Sequence, residues 1–305
     1  MNVYIIIVTY NGLNWIDKCL AGIYSSTIPL QPIVIDNGSK DGTQNYIQTN
    51  FPEVIFFQNK ENLGFGKANN IGLKYALEHD CDYVYLLNQD AWLKSDTIEI
   101  LINIHQNHKE YGILSPLQLN SKEDALESIF ADFCAEKRCH NLFFDMHNNK
   151  SIKDVYQIFS VPAAHWLISR QCLLDVGFFA PIFSHYGEDD NYAQRCNYHH
   201  YKIGVCPTTS AIHDKFYTKK CTKLYPAFLT HSCNINSNFL FSISKGYFCL
   251  IFGYLFDLKK NKSIKHLSGI LTKDYWKNLL KGVFEMPNIL KTRNASKKNN
   301  SFIGI

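Results

Sequence analysis

Asp36, Asp90, the run Glu188-Asp189-Asp190 and His213 are the residues of this 305-residue chain whose types and surroundings could carry chemistry. Asp36-Asn37-Gly38-Ser39, continued by Asp41-Gly42-Thr43, follows a short apolar run. Asn, Gly, Ser and Asp are turn formers, so a strand ending in an Asx turn accounts for these residue types. A carboxylate at such a strand tip can also accept the N3–H of uracil or thymine. Asp90 closes Asn88-Gln89-Asp90, directly after the run Tyr83–Leu87. There it could cap a helix or bind a metal diphosphate, because hard cations take carboxylate and phosphate oxygens. Glu188-Asp189-Asp190 precedes a helical segment containing Arg195. Acidic residues in a first turn complement the helix dipole, and the same field keeps a general base ionised. His213 ends a short strand, where by itself a packed or surface role fits better than ligation.

A glycine-punctuated loop, Glu61-Asn62-Leu63-Gly64-Phe65-Gly66, leads into Asn69-Asn70-Ile71-Gly72. A dinucleotide fingerprint would need a third glycine where Asn69 stands, so that reading fails and a loop opening a helix remains.

These residues need elements to hold them. Val3–Thr9, Pro32–Asp36, Val54–Phe57 and Tyr83–Leu87 are compact apolar runs with the length and β-branching of buried strands. Leu13, Ile16, Leu20 and Ile23 fall on one helical face, as do Ala68, Ile71 and Tyr75 within a helix expected over 65–78. Further helices are expected over 95–107, over 170–176 and from Glu188, and a strand ending at His213. Residues 120–155 are weakly patterned and read as a loop or insertion. Strands alternating with helices imply a doubly wound, mostly parallel α/β sheet, in which ligands sit beyond the carboxyl ends of the strands. Thr9-Tyr10-Asn11, Asp36-Asn37 and Asn88-Gln89-Asp90 should then face one crevice.

Charge divides the chain. Through Asp214 it holds 15 basic against 24 acidic residues, a net −9; from Lys215 onward it holds 16 against 3, a net +13. Such a basic end favours anionic membranes or nucleic acid. No interleaved aromatic-basic platform of a nucleic-acid module accompanies it, so nucleic acid is not an expected partner. The ten cysteines include no C-x-x-C pair and no zinc spacing. With no basic stretch before the apolar run Val3–Val8, a cytoplasmic protein with free thiols is expected. The longest apolar stretch, Phe239–Phe256, is interrupted by Lys245, Gly246 and Gly253 and falls short of a spanning helix.

Taken together, Val8-Thr9-Tyr10-Asn11, the Asp36–Thr43 stretch, Glu61–Gly72, Asn88-Gln89-Asp90 and Gly187-Glu188-Asp189 resemble, in order, the motifs of family 2 glycosyltransferases with the GT-A fold. The rhamnosyltransferase-like branch that builds bacterial surface polysaccharides is the nearest likeness, and it covers about residues 1–215. The resemblance implies a GT-A, Rossmann-like catalytic domain over 1–215; it does not reach the basic, aromatic-rich region 216–305, where helical rather than strand periodicity beyond Pro226 suggests a helical appendage. It implies that Thr9, Tyr10, Asn11, Asp36, Asn62, Gly64, Asn70 and Asn88 form the donor nucleotide site. Asp90 and His213 would meet a divalent metal, Mn²⁺ or Mg²⁺, with imidazole shifting the preference towards Mn²⁺. Asp189, with Glu188 beside it, would be the catalytic base. His165, Trp166 and Asp190 would border the acceptor, a glycan or lipid-linked glycan. The chain departs from the family pattern in two places. Asn88 replaces the first acidic residue of D-x-D, and Asn191 replaces the last Asp of E-D-x-D.

The expected activity is inverting, metal-dependent transfer from a dTDP- or UDP-sugar to an acceptor hydroxyl, at the inner face of the membrane. A non-catalytic nucleotide-sugar-binding protein is the competing reading, which the presence of both Asp90 and Asp189 disfavours. A nucleotidyltransferase would want a Gly-rich phosphate loop after the first strand, and Thr9-Tyr10-Asn11-Gly12-Leu13 lacks one.

Overall fold

Seven residues of near-continuous apolar character make Val3–Thr9 a strand buried on both faces, β1, and the rest of the sheet is built around it. In the computed structural model, residues 1–148, 151–215, 224–260 and 273–303 are described; the side chains of 253–260 and 273–275 are not. The elements follow as α1 (Ile16–Tyr24), β2 (Gln31–Asp36), α2 (Thr43–Asn50), β3 (Ile55–Gln58), α3 (Phe65–Glu78), β4 (Tyr83–Asn88), β5 (Ala91–Leu93) and α4 (Thr97–Asn107). Then come β6 (Tyr111–Leu119), α5 (Ser128–Phe133), α6 (Leu142–His147), β7 (Tyr156–Ile158), β8 (His165–Ser169), α7 (Arg170–Val176), α8 (Glu188–Tyr198) and β9 (Lys202–His213). Among the described residues after β9 come α9 (Leu224–Ser232), α10 (Phe239–Lys260), α11 (Lys273–Phe284) and α12 (Met286–Ser296).

Among the described residues the strands form one nine-stranded sheet in the order β3-β2-β1-β4-β8-β6-β9-β5, with β7 also paired to β9. β3, β2, β1 and β4 are parallel, and β6 and β9 run the same way on the far side of an antiparallel β8. The expected mostly parallel α/β sheet is therefore present. The sequence reading missed β8 and β6. β8 is five residues long and runs straight into α7, and β6 carries Pro116 at a register shift against β9. Proline is tolerated in a ladder at such a shift because its missing N–H leaves no gap there.

Several local expectations are corrected. Leu13 lies before α1 and is exposed, and Cys19 joins Ile16, Leu20 and Ile23 on the buried stripe. On α3 the fully inward stripe is Ala68, Leu73 and Ala76, while Ile71 and Tyr75 are only half-buried. The stretch 120–155, expected as a loop or insertion, contains α5 and α6 and places Phe130, Cys134, Cys139 and Leu142 in the core. The Glu127 carboxylate caps α5 by accepting from the Phe130 N–H at 2.8 Å.

Among the described residues every strand precedes position 215 and only helices follow it, but that boundary does not divide the core. Phe228 and Leu229 of α9, Cys233 just after it, Leu250 of α10, Ile289 of α12 and Phe302 belong to the same buried cluster as Trp166, Phe179 and Tyr192. The buried Arg195 guanidinium fixes the loop after α7 by donating to the Val176 and Phe178 carbonyls, and it also lies 5.1 Å from the Phe302 ring. Phe178 N–H donates to the Ser301 carbonyl. The helical end is thus stitched to the back of α7 and α8. Among the described residues, no helix is long and apolar enough to cross a membrane.

Candidate active site

Register brings the first polar residues together. Thr9 pairs with Asp36 across β1–β2, and Val8 pairs with Asn88 across β1–β4. Adjacent strands lie about 4.8 Å apart, so the tips of β2 and β4 are separated by about 10 Å. The Asp36 Oδ1 accepts from the Gly38 and Ser39 N–H groups at 3.0 Å each and from Gln44 Nε2 at 2.6 Å. This is the Asx turn that the residue types suggested. Asp36 Oδ2 is buried and has no partner, which leaves one acceptor unused at the strand tip.

Gln89, placed at the crevice by the sequence reading but given no separate role there, ties β1 to β4. Its Oε1 accepts from Thr9 Oγ1 at 2.8 Å and from Tyr10 N–H at 2.9 Å. Asn11, with a φ of 50°, turns so that its N–H donates to Ser39 Oγ and its Oδ1 accepts from Lys40 N–H. Tyr10 and Asn11 are exposed beside this turn. Asn62 Oδ1 receives the Gly64 N–H at 2.9 Å and shapes the loop before α3. Gly64 has a φ of +84°, and a Cβ there would lie 1.9 Å from the Ser184 carbonyl oxygen, so only glycine fits. Asn70 clamps α3 to the loop after α7, exchanging two 2.9 Å hydrogen bonds with the Phe179 backbone. Asn62 and Gly64 line a recess of about 430 Å³ that also takes in Lys67 and His185.

A larger cleft of about 690 Å³ shares His185 with that recess and lies beyond β4 and β9. It gathers Asn88, Asp90, His213, Glu188, Asp189 and Asp190. Thr9, Tyr10, Asn11 and Asp36 are not among its lining residues. β5 pairs antiparallel with the end of β9, placing Ala91 opposite His213, and Asp214 N–H donates to the Asp90 carbonyl at 2.8 Å. Asp90 Oδ1 and His213 Nε2 consequently stand 3.6 Å apart, with His213 buried and Asp90 half-buried. That distance is long for a hydrogen bond but suits two ligands of one cation, each at about 2.0–2.2 Å. Among the described residues no group of three or more His, Cys, Asp or Glu side chains could hold a metal, so further ligands would come from elsewhere.

Gly187, with a φ of +91°, starts α8 in a left-handed conformation and turns three carboxylates toward the cleft. Burial, and then the neighbouring Asp189, push the Glu188 carboxyl up to about 7. Glu188 Oε2 is buried without a partner. Asp190 is also raised by burial, countered by Ser160, His231 and Arg138; Ser160 Oγ donates to its Oδ1 at 3.2 Å. Asp189 is partly exposed, and its Oδ1 accepts from the Asp190 N–H at 2.9 Å.

His165 and Trp166 do not border the cleft. Both point into the core with no exposed surface, because β8 is an interior strand covered on both faces. Trp166 Nε1 donates to the Val161 carbonyl at 3.1 Å. The His165 ring bridges Tyr85 OH and the Ile212 carbonyl, both at 3.0 Å; burial, then His213, hold its pKa down to about 3. It braces the strand end that carries His213. The cleft wall facing Asp190 comes instead from Ile129 and Phe133 of α5 and from Pro226, Thr230 and His231 of α9. No sequence signal linked α9 to the motifs. His185 and Tyr186 also line the cleft, and their adjacency to Gly187-Glu188 was the one available hint.

Residues 4–153 match the sequence profile described as glycosyl transferase family 2. An uncharacterised glycosyltransferase of Rickettsia typhi is 29% identical over 177 residues, which is 56% of this chain and 49% of that protein. The chain thus spans about half the length of this curated relative. The minor teichoic acid biosynthesis protein GgaB of Bacillus subtilis is 29% identical over 112 residues, 34% of this chain and 12% of that protein. Among solved structures, residues 1–349 of TarS from S. aureus superpose with a TM-score of 0.58 at 13% identity, covering 97% of this chain and 90% of that one. The same TarS fragment in complex with UDP-GlcNAc gives a TM-score of 0.60 at 12% identity, again covering 97% of this chain and 90% of that one. At such identity the likeness speaks for the fold. With the motif residues arranged along the carboxyl edge of this sheet, the chain carries a glycosyltransferase family 2 domain over residues 4–153.

Proposed function

We propose that this protein is an inverting glycosyltransferase of the GT-A type, moving a hexosyl unit from a dTDP- or UDP-sugar to a hydroxyl of a surface-polysaccharide acceptor. One observation carries the reading: the Asp90–His213 pair and the acidic opening of α8 share a single cleft. The name of GgaB and the TarS complex with UDP-GlcNAc support a nucleotide-sugar donor and a cell-surface glycan acceptor. The resemblance to the rhamnosyltransferase-like branch adds dTDP-rhamnose to the donors to be tried.

In this reading the tips of β1, β2 and β4 hold the nucleotide, with the free Asp36 Oδ2 available to the base. Asp90 and His213 would hold a divalent cation, Mn²⁺ or Mg²⁺, together with diphosphate oxygens. Such an ion, when bound, offsets the charge that develops on a leaving diphosphate. Asp189 receives the proton of the acceptor hydroxyl as its oxygen bonds to the anomeric carbon. The bond from that carbon to the diphosphate oxygen breaks on the opposite face, and its electron pair leaves with the nucleotide. Attack from the face opposite the leaving group inverts the centre, through an oxocarbenium-like transition state as in glycoside hydrolysis.

One observation favours a second assignment of the base within the same mechanism. Glu188 carries a carboxyl raised to about 7, which is well matched to proton transfer near neutral pH. Its burial argues the other way, since Asp189 and Asp190 line the same cleft at the first turn and are both partly exposed, and it is Asp189 that the family resemblance makes the base.

The deciding experiment is a panel of UDP- and dTDP-sugars with Mn²⁺, scored for nucleotide release and for thermal stabilisation. Release with at least one donor is expected. Stabilisation without release, with any acceptor glycan, would replace catalysis by nucleotide-sugar binding alone.

A further inference from the structure

The helical end presents an apolar surface that the site does not use. On α10, Phe241, Lys245, Phe248 and Phe252 recur every three to four residues and are exposed, with the Phe248 and Phe252 rings stacked at 4.3 Å. The opposite side of α10 is the packed one, where Gly246 meets Phe228 and Ser232 of α9 and Leu250 is buried. On α11 the pattern repeats. Gly282 packs against Phe228 and Tyr247, whereas Trp276, Leu280 and Val283, spaced i, i+4, i+7, are each about half exposed, at 49%, 53% and 57%. Phe284 beside them is 78% exposed. A helix with its apolar stripe turned outward inverts the usual soluble pattern.

The charges around these stripes say what covers them. Lys245, Lys277 and Lys281 are exposed on the same two helices, and from Lys215 onward the sequence holds 16 basic and 3 acidic residues. Aromatic and leucine side chains flanked by lysines match an anionic bilayer surface, where rings enter the headgroup boundary and ammonium groups meet lipid phosphates. No described helix can span, so the chemistry is that of lying on the surface.

The surface is also coupled to the cleft. α9 packs on α10 and contributes His231 to the cleft wall, and Lys245 lies close enough to His231 to help burial lower its pKa. We propose that the outward faces of α10 and α11 dock the protein on anionic lipid membranes, with the cleft held beside the bilayer.

Flotation of the intact chain with phosphatidylcholine vesicles, with and without phosphatidylglycerol, tests this in the absence of any donor, so its outcome is independent of sugar transfer. Binding is expected only to the anionic vesicles, with release at high salt. Phe248→Ser with Phe252→Ser should weaken partitioning by at least about tenfold. Lys245→Gln and Lys277→Gln should each weaken it by about fivefold. The intrinsic fluorescence should shift to the blue with anionic vesicles, and Trp276→Phe should abolish the shift. Failure to float with anionic vesicles, equal binding to neutral ones, or a shift that survives Trp276→Phe would overturn the proposal. Loss of a sedimenting dimer in the Phe variant, without vesicle binding by the parent, would make the face an interface between copies instead.

Discussion

Asp90 Oδ1 and His213 Nε2 face each other at 3.6 Å although 123 positions separate them in the sequence, because β5 and the end of β9 pair directly between them. The pair lines a cleft whose lining also includes the first turn of α8.

A cation shared by these two groups makes transfer sensitive to chelation. Activity should vanish with EDTA and return with Mn²⁺. Asp90→Asn should lower Mn²⁺ affinity measured by calorimetry and reduce turnover by about 10²–10⁴-fold. Undiminished turnover in excess chelator would remove the metal from the mechanism.

The base assignment separates three neighbours. Asp189→Asn should leave nucleotide binding intact while transfer falls by about 10²–10⁴-fold. Asp190→Asn should do far less to the chemical step, because consecutive helical residues point about 100° apart. Its contact with Ser160 predicts a change in acceptor KM instead. If Glu188→Gln is dead and Asp189→Asn is active, the base is Glu188.

Glu188 also predicts a pH dependence of stability. Its folded carboxyl lies near 7 against an ordinary value of 4.5, so between these values the folded state binds more protons than the unfolded one. Stability attributable to this group therefore falls as pH rises from 4.5 to about 7, by about 1–3 kcal/mol, and is level above that. Glu188→Gln should accordingly raise the Tm at pH 8 relative to the parent, with the difference closing below pH 4.5. A difference independent of pH would contradict the burial argument.

Asp36 does two things at once, so its variants should differ. Asp36→Ala removes both the turn acceptor and the free oxygen, costing stability as well as affinity. Asp36→Asn can retain the Oδ1 contacts to Gly38 and Ser39 while replacing Oδ2. It should weaken UDP or dTDP binding by about 1.5–3 kcal/mol with a smaller loss of Tm. Unchanged nucleotide affinity by calorimetry would exclude contact with the base.

Burial of Trp166 makes it a core residue. Trp166→Ala should destabilise the fold by about 3–5 kcal/mol. Trp166→Phe should lower Tm while leaving acceptor KM unaltered. A raised acceptor KM in a stable Phe variant would return this residue to the acceptor site.

Local sequence determined the elements whose signals are short-range. The strands β1, β2 and β4, the helix over Phe65–Glu78, the turn after Asp36 and the acidic opening of α8 follow from apolar runs, turn formers and a helix start. Each signal is complete within about ten residues. Tertiary structure decided the rest, for a common reason: the deciding partner lies far along the chain. Trp166 looks the same in sequence whether exposed or interior, and only its place in a strand between β4 and β6 buries it. Asp90 and His213 become a pair only through β5–β9 pairing. The wall facing Asp190 comes from α5 and α9, because core contacts through Phe130, Phe228 and Leu229 dock those helices against the sheet. Burial and a neighbouring carboxylate raise Glu188, and both arise only once α8 is packed.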